Sequence, residues 1–200
     1  MNLIKLLFLR LSFKKVGLTL LIFVIIFFIF NDSQNKVLEK KLESNEILIL
    51  KFKDFQKDRI NMKTEFNVEL IESILDTAKT YLGTPNEIGG VDYNSIDASG
   101  LIHVSLNKNG ILEFPRIAQD MARYGERILE IKDLKRGDLI FFFDTYETDN
   151  LITSAGIYLG ENNFISSTSK KGVSINKMDN PTFEENYWME HFFYGTRIFK

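Results

Sequence analysis

Beyond residue 15, apolar and polar positions divide the chain into three stretches. Residues 16–30 are apolar without a single charge, residues 31–65 are mostly polar and charged, and from Asn67 onward apolar residues return with helical spacing. Asn67 is placed to cap this helix and Gly83 to end it. The positions predicted to form its buried face are Ile71, Ile74, Leu75, Ala78 and Leu82.

A second helix and a set of strands follow. Asp97 is a good N-cap, because its carboxylate can accept from the amide of Ser99 or Gly100, and it predicts a helix from Ala98 to about Gly110. After Gly137 the pattern alternates with period two, which predicts strands. The predicted strands are 138–146, 153–159, 163–167, 172–175 and 191–198, with turns at 160–162 and 170–172. Helices followed by an antiparallel sheet form an α+β layout.

The apolar run Val16–Phe30 predicts a membrane-targeting segment. At about 1.5 Å per residue it covers roughly 22 Å of a ~30 Å hydrocarbon core, which fits a signal-peptide core as well as a spanning helix. No small residues suited to signal peptidase follow Phe30, and Lys14 and Lys15 can extend the span by snorkelling, so we favour an uncleaved anchor. Because the basic residues precede the run, we expect the N-terminus inside and the remainder outside the cytoplasmic membrane.

The domain organisation predicted from these features has four parts. Residues 1–15 are a basic cytoplasmic N-terminus, 16–30 a transmembrane signal anchor, 31–65 a juxtamembrane spacer and 66–200 the folded domain. Within the spacer, Ile47–Phe55 has strand character. It either adds to the sheet of the domain or pairs with another protein, and periodicity alone does not decide between these.

Composition excludes several classes of function. The chain has 25 basic and 27 acidic residues, so we expect no basic face able to neutralise the phosphates of a nucleic acid. It has no cysteine, which excludes disulfides, thiolate zinc sites and acylation of a lipoprotein cysteine. With two isolated histidines as well, the sequence predicts no metal site and no cofactor.

Several segments together resemble the NlpC/P60 family of cell-wall cysteine peptidases, between Ala78 and Phe199. In chain order they are Ala78–Pro85 with Gly89 and Gly90, Asp97–Ile102, Pro115 and Arg116 with Gln119, Leu134–Phe142, Ser154–Gly160 and Phe164–Thr168. The resemblance implies a papain-like NlpC/P60 domain, with N-terminal helices packed on an antiparallel sheet. It also implies that Ala98, Ser154 and Ser166 occupy the positions of the catalytic Cys and two His.

These three replacements remove the chemistry that the resemblance would otherwise imply. A cysteine in the first turn of a helix is held as the reactive thiolate by the helix dipole, and Ala98 has no sulfur. A histidine would deprotonate the thiol and later protonate the leaving amine. A serine hydroxyl does not titrate near neutral pH and cannot replace it. The sequence therefore predicts an inactive homologue.

Other polar residues near these positions offer no clear substitute. Ser99 is the nearest hydroxyl, but it lies about 100° around the helix from Ala98. His103 lies roughly 140° around the same helix, and His191 stands in an aromatic stretch, so we expect both to be packing residues. Arg116 either pairs with a carboxylate of a bound peptide or forms a structural ion pair. In active members an aromatic residue that helps to hold substrate commonly stands at the position of Asn86.

The leading hypothesis is a membrane-anchored pseudoenzyme outside the cytoplasmic membrane. It binds a protein partner in an envelope complex, or a peptidoglycan stem peptide, through a roomy polar cleft. The alternative is a cell-wall peptidase with a non-standard nucleophile such as Ser99, and a third reading is a passive part of a larger envelope complex. The residues predicted to line the cleft are Asp97, Ala98, Ser99, Arg116, Ser154 and Ser166.

Overall fold

The computed structural model describes residues 67–179 and 187–199, which belong to one compact unit. The predicted segments 1–15, 16–30 and 31–65, with the strand candidate at 47–55, lie outside the described residues. Among the helices of the described ranges, none has the length and apolarity that a membrane crossing requires. The anchor therefore stays a prediction.

The first two helices form as their caps and periodicity predict. Helix α1 spans Val68–Lys79 and begins at Asn67, whose side chain accepts hydrogen bonds from the amides of Glu69 and Leu70. Helix α2 spans Ala98–Lys108 and begins at Asp97, whose carboxylate accepts from the Gly100 amide. Helix α1 packs on α2, and α2 in turn packs on the sheet. The described domain has two further short helices, α3 at Ala118–Met121 and α4 at Tyr187–His191.

The described residues form six strands, β1 Glu126–Ile128, β2 Leu139–Phe142, β3 Ser154–Gly160, β4 Asn163–Thr168, β5 Gly172–Lys177 and β6 Phe192–Arg197. They make one antiparallel sheet in the order β1-β6-β2-β3-β4-β5. Tight turns join β3 to β4 and β4 to β5, and Gly160, Glu161 and Asn162 all have positive φ in the β3–β4 turn.

Both faces of the sheet are covered. Successive residues of a strand point to opposite faces, so Phe141 and Phe142 lie on opposite sides of the sheet. Phe141 lies beside Tyr194, whose hydroxyl donates to the carbonyl of Ala122 just after α3. Phe142 packs with Trp188 at 4.7 Å between ring centroids. The apolar cluster around Phe142 and Trp188 also contains Ile128, Leu134, Ile140, Tyr158, Phe164, Met178 and Phe192. Burial on both faces explains why all four residues of β2 are buried.

The structure corrects four details of the predicted elements. Helix α1 ends at Lys79, so Leu82 is 48 % exposed and the buried Tyr81 takes its place in the core. Strand β2 ends at Phe142, because the acidic stretch after it bends away through Asp144 at φ 53. His191 ends α4 before β6 begins. The pattern also missed α3 and β1, which are four and three residues long.

Candidate functional site

Ala98 is the first residue of α2 and is partly exposed. The dipole of α2 is directed at this position, which suits an anion or a thiolate. The side chain is a methyl group, so the helix end carries no nucleophile. The structure confirms the predicted helix start at Ala98.

The carboxylate of Asp97 organises the entrance to α2. Oδ1 accepts hydrogen bonds from the Gly100 amide at 2.6 Å, from Arg116 Nη1 at 2.9 Å and from the Ser99 hydroxyl at 3.1 Å. Oδ2 accepts from the Gly89 amide at 2.6 Å and from Arg116 Nη2 at 2.8 Å. Five donors on one carboxylate hold the preceding loop, the helix start and the segment of Arg116 together.

Arg116 is committed to this internal pair. Besides Asp97, its Nη1 donates to the Ser99 hydroxyl at 2.9 Å and its Nη2 to the Gly90 carbonyl at 3.0 Å. These four bonds use all four protons of the two terminal nitrogens. Of the two roles that the sequence left open for Arg116, the structure shows the structural ion pair.

The electrostatic balance favours a charged Asp97. Burial alone would raise the pKa of its carboxyl, but the bonds from the Arg116 guanidinium and from the amides of Gly100 and Gly89 outweigh burial and lower the pKa below its ordinary value. The carboxylate is therefore a stable anion at neutral pH and a poor proton acceptor. This arrangement does not suit a general base.

The hydroxyl of Ser99 is held by two partners. It donates to Asp97 and accepts from Arg116, at the distances given above. Deprotonation of Ser99 would remove its hydrogen bond to Asp97 and leave an alkoxide 3.1 Å from that carboxylate, and this repulsion opposes an anionic nucleophile here. The Ser99 hydroxyl therefore links Asp97 to Arg116 at the start of α2.

Ser154 begins β3 and is partly exposed. It is the cross-strand partner of Phe142. The preceding segment is fixed by Gln119 of α3, whose side-chain carbonyl accepts from the Ile152 amide at 2.8 Å, and by Thr153, whose hydroxyl accepts from the Thr145 amide at 2.9 Å. The Gln119 contact gives a structural role to a residue that the sequence offered only as part of a motif.

Ser166 is buried, whereas the sequence predicted that it would line an open cleft. The side chain has 0 % exposure, and its hydroxyl donates to the carbonyl of Ala155 at 2.6 Å. The β3–β4 register puts Ser166 on the same face as Ser154, so the two positions do share one side of the sheet. However, Ser166 is enclosed rather than open to a ligand, because a serine is small enough to bond the neighbouring strand.

The link between the sheet and the α2 entrance comes from the next residue, Ser167. Its hydroxyl donates to the Ile96 carbonyl at 2.6 Å and accepts from Asn86 Nδ2 at 2.9 Å. Asn86 therefore ties its loop to β4. No local sequence pattern indicated these contacts, since they join residues far apart in the chain.

The two histidines lie in packing environments, as expected. His103 Nε2 is 2.9 Å from Asn107 Nδ2 one turn further along α2. His191 Nδ1 is 2.7 Å from the Tyr187 carbonyl, and its ring stacks on that of Tyr187 at 4.1 Å. Within the described residues, no group of three or more His, Asp or Glu is placed to hold a metal ion.

A pocket of about 210 Å³ lies at the turn before β2. Two ion pairs border it, since Arg197 binds Asp138 and Arg136 binds Glu72. It is lined by Ile71, Lys135, Arg136, Gly137, Asp138, Arg197 and Phe199. None of the predicted site residues contributes to this pocket.

Fold and site together define the class of protein. Helices packed on an antiparallel sheet form the α+β layout expected of an NlpC/P60 domain, here with alanine at the start of α2 and serines on β3 and β4. Residues 83–192 match the sequence model of the NlpC/P60 family. The chain belongs to this family of cysteine peptidoglycan endopeptidases.

Individual relatives support the assignment. The chain is 30 % identical over 128 residues to a probable endopeptidase, NlpC, of Escherichia coli, which covers 64 % of this chain and 81 % of that protein. It is 32 % identical over 134 residues to a peptidoglycan DL-endopeptidase of Bacillus licheniformis, covering 63 % of this chain and 27 % of that protein.

Among solved structures, the domain is similar to an NLP/P60-family protein of Staphylococcus aureus described as similar to lipoprotein. The TM-score is 0.56 at 31 % identity, over 68 % of this chain and 44 % of that chain. The chain thus spans less than half of that protein and about a quarter of the Bacillus relative, and the shared part is the NlpC/P60 domain.

Proposed function

We propose that this protein is a catalytically inactive NlpC/P60 domain that acts as a binding module in the cell envelope. The observation that carries the proposal is the methyl group of Ala98 at the N-terminus of α2, where the family's nucleophile would stand. Ser154 and Ser166 leave no imidazole on the adjacent strands. Loss of every member of a catalytic triad leaves only what binding and oxyanion donors contribute.

The ligand proposed for this site is a protein partner in an envelope complex or a peptidoglycan stem peptide. The relatives named above as endopeptidases support the peptide, since their sequences align with this region. The proposed surface comprises Asp97, Ala98, Ser99, Arg116 and Ser154, whereas Ser166 is buried. Because the Asp97 network uses the Arg116 nitrogens internally, we expect a ligand to contact backbone amides and the partly exposed Ala98 and Ser154.

The proposed location is outside the cytoplasmic membrane, with residues 16–30 as the anchor. The basic residues before Val16 and the polar residues after Phe30 motivate this topology. A solved relative described as similar to lipoprotein is compatible with an envelope location. This chain has no cysteine for acylation, so a transmembrane segment would serve as its anchor.

Substitution of Ala98 by Trp tests the binding surface. Ala98 is partly exposed, so the indole will project from the helix start and block the site while the fold stays intact by circular dichroism. We expect the variant to lose retention of an immobilised stem peptide or of the partner recovered by pull-down from solubilised membranes. Leu112→Trp is the matched control, because Leu112 is 71 % exposed beyond the other end of α2. Equal retention by folded Ala98→Trp and the wild type would move the function to another surface.

The alternative function is a peptidase that uses Ser99 as its nucleophile. The observed network argues against it, since the Ser99 hydroxyl is engaged by Asp97 and by the Arg116 cation. A hydrolysis assay with stem peptides separates the two functions.

A further inference from the structure

Tyr93 forms an exposed aromatic platform on the loop that leads to α2. Its ring stacks on that of Tyr81 with 4.2 Å between centroids and 8° between planes. Tyr81 is 2 % exposed, whereas Tyr93 is 57 % exposed. One face of the Tyr93 ring is therefore covered by a core residue, and the other face is open to solvent.

Lys108 stands beside this stack. Its Nζ is 4.9 Å from the Tyr81 centroid and 5.1 Å from the Tyr93 centroid, and it donates to the Tyr81 hydroxyl at 2.7 Å. Two nearly equal distances place the ammonium at the rim, between the planes of the two rings. The outer face of Tyr93 stays uncovered, and a hydrogen-bond donor lies at its edge.

The platform is held in a fixed orientation. The Tyr93 hydroxyl is 3.2 Å from the Thr80 hydroxyl, which is attached to the C-terminal end of α1. Stacking on Tyr81 fixes the plane of the ring, and the contact with Thr80 fixes its direction. A side chain ordered before binding loses little rotamer entropy when a ligand arrives.

Further exposed apolar side chains lie on the same stretch of chain. Leu82 is 48 %, Ile88 86 % and Val91 44 % exposed. The loop is joined to the candidate site, since the Gly89 amide donates to Asp97 and the backbone of Val91 forms a bridge with Ile96.

We propose that the Tyr93 platform binds a pyranose ring of an N-acetylated glycan strand. A flat aromatic face packs against the apolar C–H face of a sugar, and the phenol and ammonium at its rim hydrogen-bond to hydroxyl and acetamido groups. This deepens the proposed function and rests on it, because in peptidoglycan the glycan carries the stem peptide. One ligand would then contact both the platform and the Ala98 surface.

Calorimetric titration of the full chain with tetra-N-acetylchitotetraose tests the platform. Tyr93→Ala removes the aromatic face, and we expect its affinity to fall by about tenfold or more, the change that 1.4 kcal/mol produces. Tyr93→Phe keeps the face and should bind within a few-fold of the wild type. Tyr146→Ala is the matched control, since Tyr146 is 50 % exposed on the β2–β3 loop, and should bind like the wild type.

Saturation-transfer NMR gives a readout independent of affinity. Saturation of the aromatic protons should reach the axial ring protons of the sugar most strongly, and this transfer should vanish in Tyr93→Ala. Absence of sugar binding by the wild type, or equal binding by Tyr93→Ala, would overturn the proposal.

Separate binding measurements on the wild-type protein, with a stem peptide and with chitotetraose, distinguish a failure of this inference from a failure of the proposed function. A free stem peptide carries no sugar, so its binding tests the Ala98 surface alone. If the wild type binds the peptide but no chitotetraose, the platform fails and the peptide site stands. If it binds chitotetraose through Tyr93 but no peptide, the platform stands and the peptide site fails.

Discussion

At the first turn of α2, the chain has a methyl group where the family's cysteine would stand, and Ser154 and Ser166 stand at the positions of the two histidines. The next residue offers no substitute nucleophile, because the Ser99 hydroxyl already accepts from a guanidinium and donates to a carboxylate. The site retains its cap, its dipole and its ion pair, all of which serve the fold. The structural support for the helix start is therefore present without a thiol.

The first prediction is that the chain has no peptidase activity. We expect the purified full chain to release no fragments from stem peptides, and Ser99→Ala to behave like the wild type, because no described group activates the Ser99 hydroxyl. The assay is chromatography of peptidoglycan fragments after incubation, with a serine-reactive probe as a second readout. The peptidoglycan DL-endopeptidase of Bacillus licheniformis named above serves as the positive control. Turnover that disappears in Ser99→Ala would establish the peptidase alternative.

The second prediction is that the Asp97 carboxylate stabilises the folded domain. Asp97→Asn removes the charge opposite Arg116 and presents an amide group to donors, so we expect a loss of about 2–4 kcal/mol in unfolding free energy. The measurement is urea denaturation at neutral pH. Asp92→Asn is the control, because it changes an exposed carboxylate on the same loop and should cost much less.

The pH dependence follows from the direction of the Asp97 pKa shift. The folded pKa lies below the ordinary value of 3.8, so the stability from this carboxylate is fully present above that value and is lost as the pH falls through the folded pKa. Asparagine does not titrate. The difference in unfolding free energy between the wild type and Asp97→Asn should therefore decrease below pH 3.8. A gap that stays constant into strong acid would contradict this account.

At the scale of elements, the start of α2 is located by a close backbone contact. Gly100 has no side chain, and a Cβ there would collide with the carbonyl of Gly90 and crowd Arg116 and Asp97. Helix propensity alone favours alanine at such a position by about 1 kcal/mol. The contact explains why a glycine occupies the first turn of α2.

Gly100→Ala tests this contact. We expect the unfolding free energy to fall by about 1–3 kcal/mol, because overpacking outweighs the gain in helix propensity. Gly110→Ala is the control at the other end of α2, where φ is 86 and no other atom lies within 4 Å of the added Cβ. It should cost about 1 kcal/mol through backbone conformation alone. A Gly100→Ala variant as stable as the wild type would refute the close approach.

The elements differ in how far a local pattern could predict them. Helix α1 and the strands from β3 to β5 carry caps, turns or alternation within their own residues, and the structure confirms them. Strand β1 and helix α3 have three and four residues, too few for a period to be visible. Strand β1 forms because β6 provides a pairing partner far along the chain, with Glu126 opposite Arg197.

At the scale of the whole molecule, the topology prediction concerns residues outside those that the structure describes. Protease added to spheroplasts should remove the domain after residue 30, because the basic residues that precede Val16 retain the N-terminus inside. Immunoblotting of the full chain measures this, with a cytoplasmic protein as the control that resists digestion. A mature chain that begins near Asn31 would show cleavage and disprove the anchor.

Family membership, the α+β layout, the caps of α1 and α2 and the absence of a Cys-His-His triad all followed from the sequence. Each depends on residue identity or on periods within one element, which the chain displays locally. The tertiary structure alone decided that Arg116 pairs with Asp97, that Ser167 reaches Ile96 across 71 positions and that Ser166 is enclosed. Stacking of Tyr93 on Tyr81 belongs to the same group. These contacts arise where distant segments meet, and their energies depend on burial that no local pattern records.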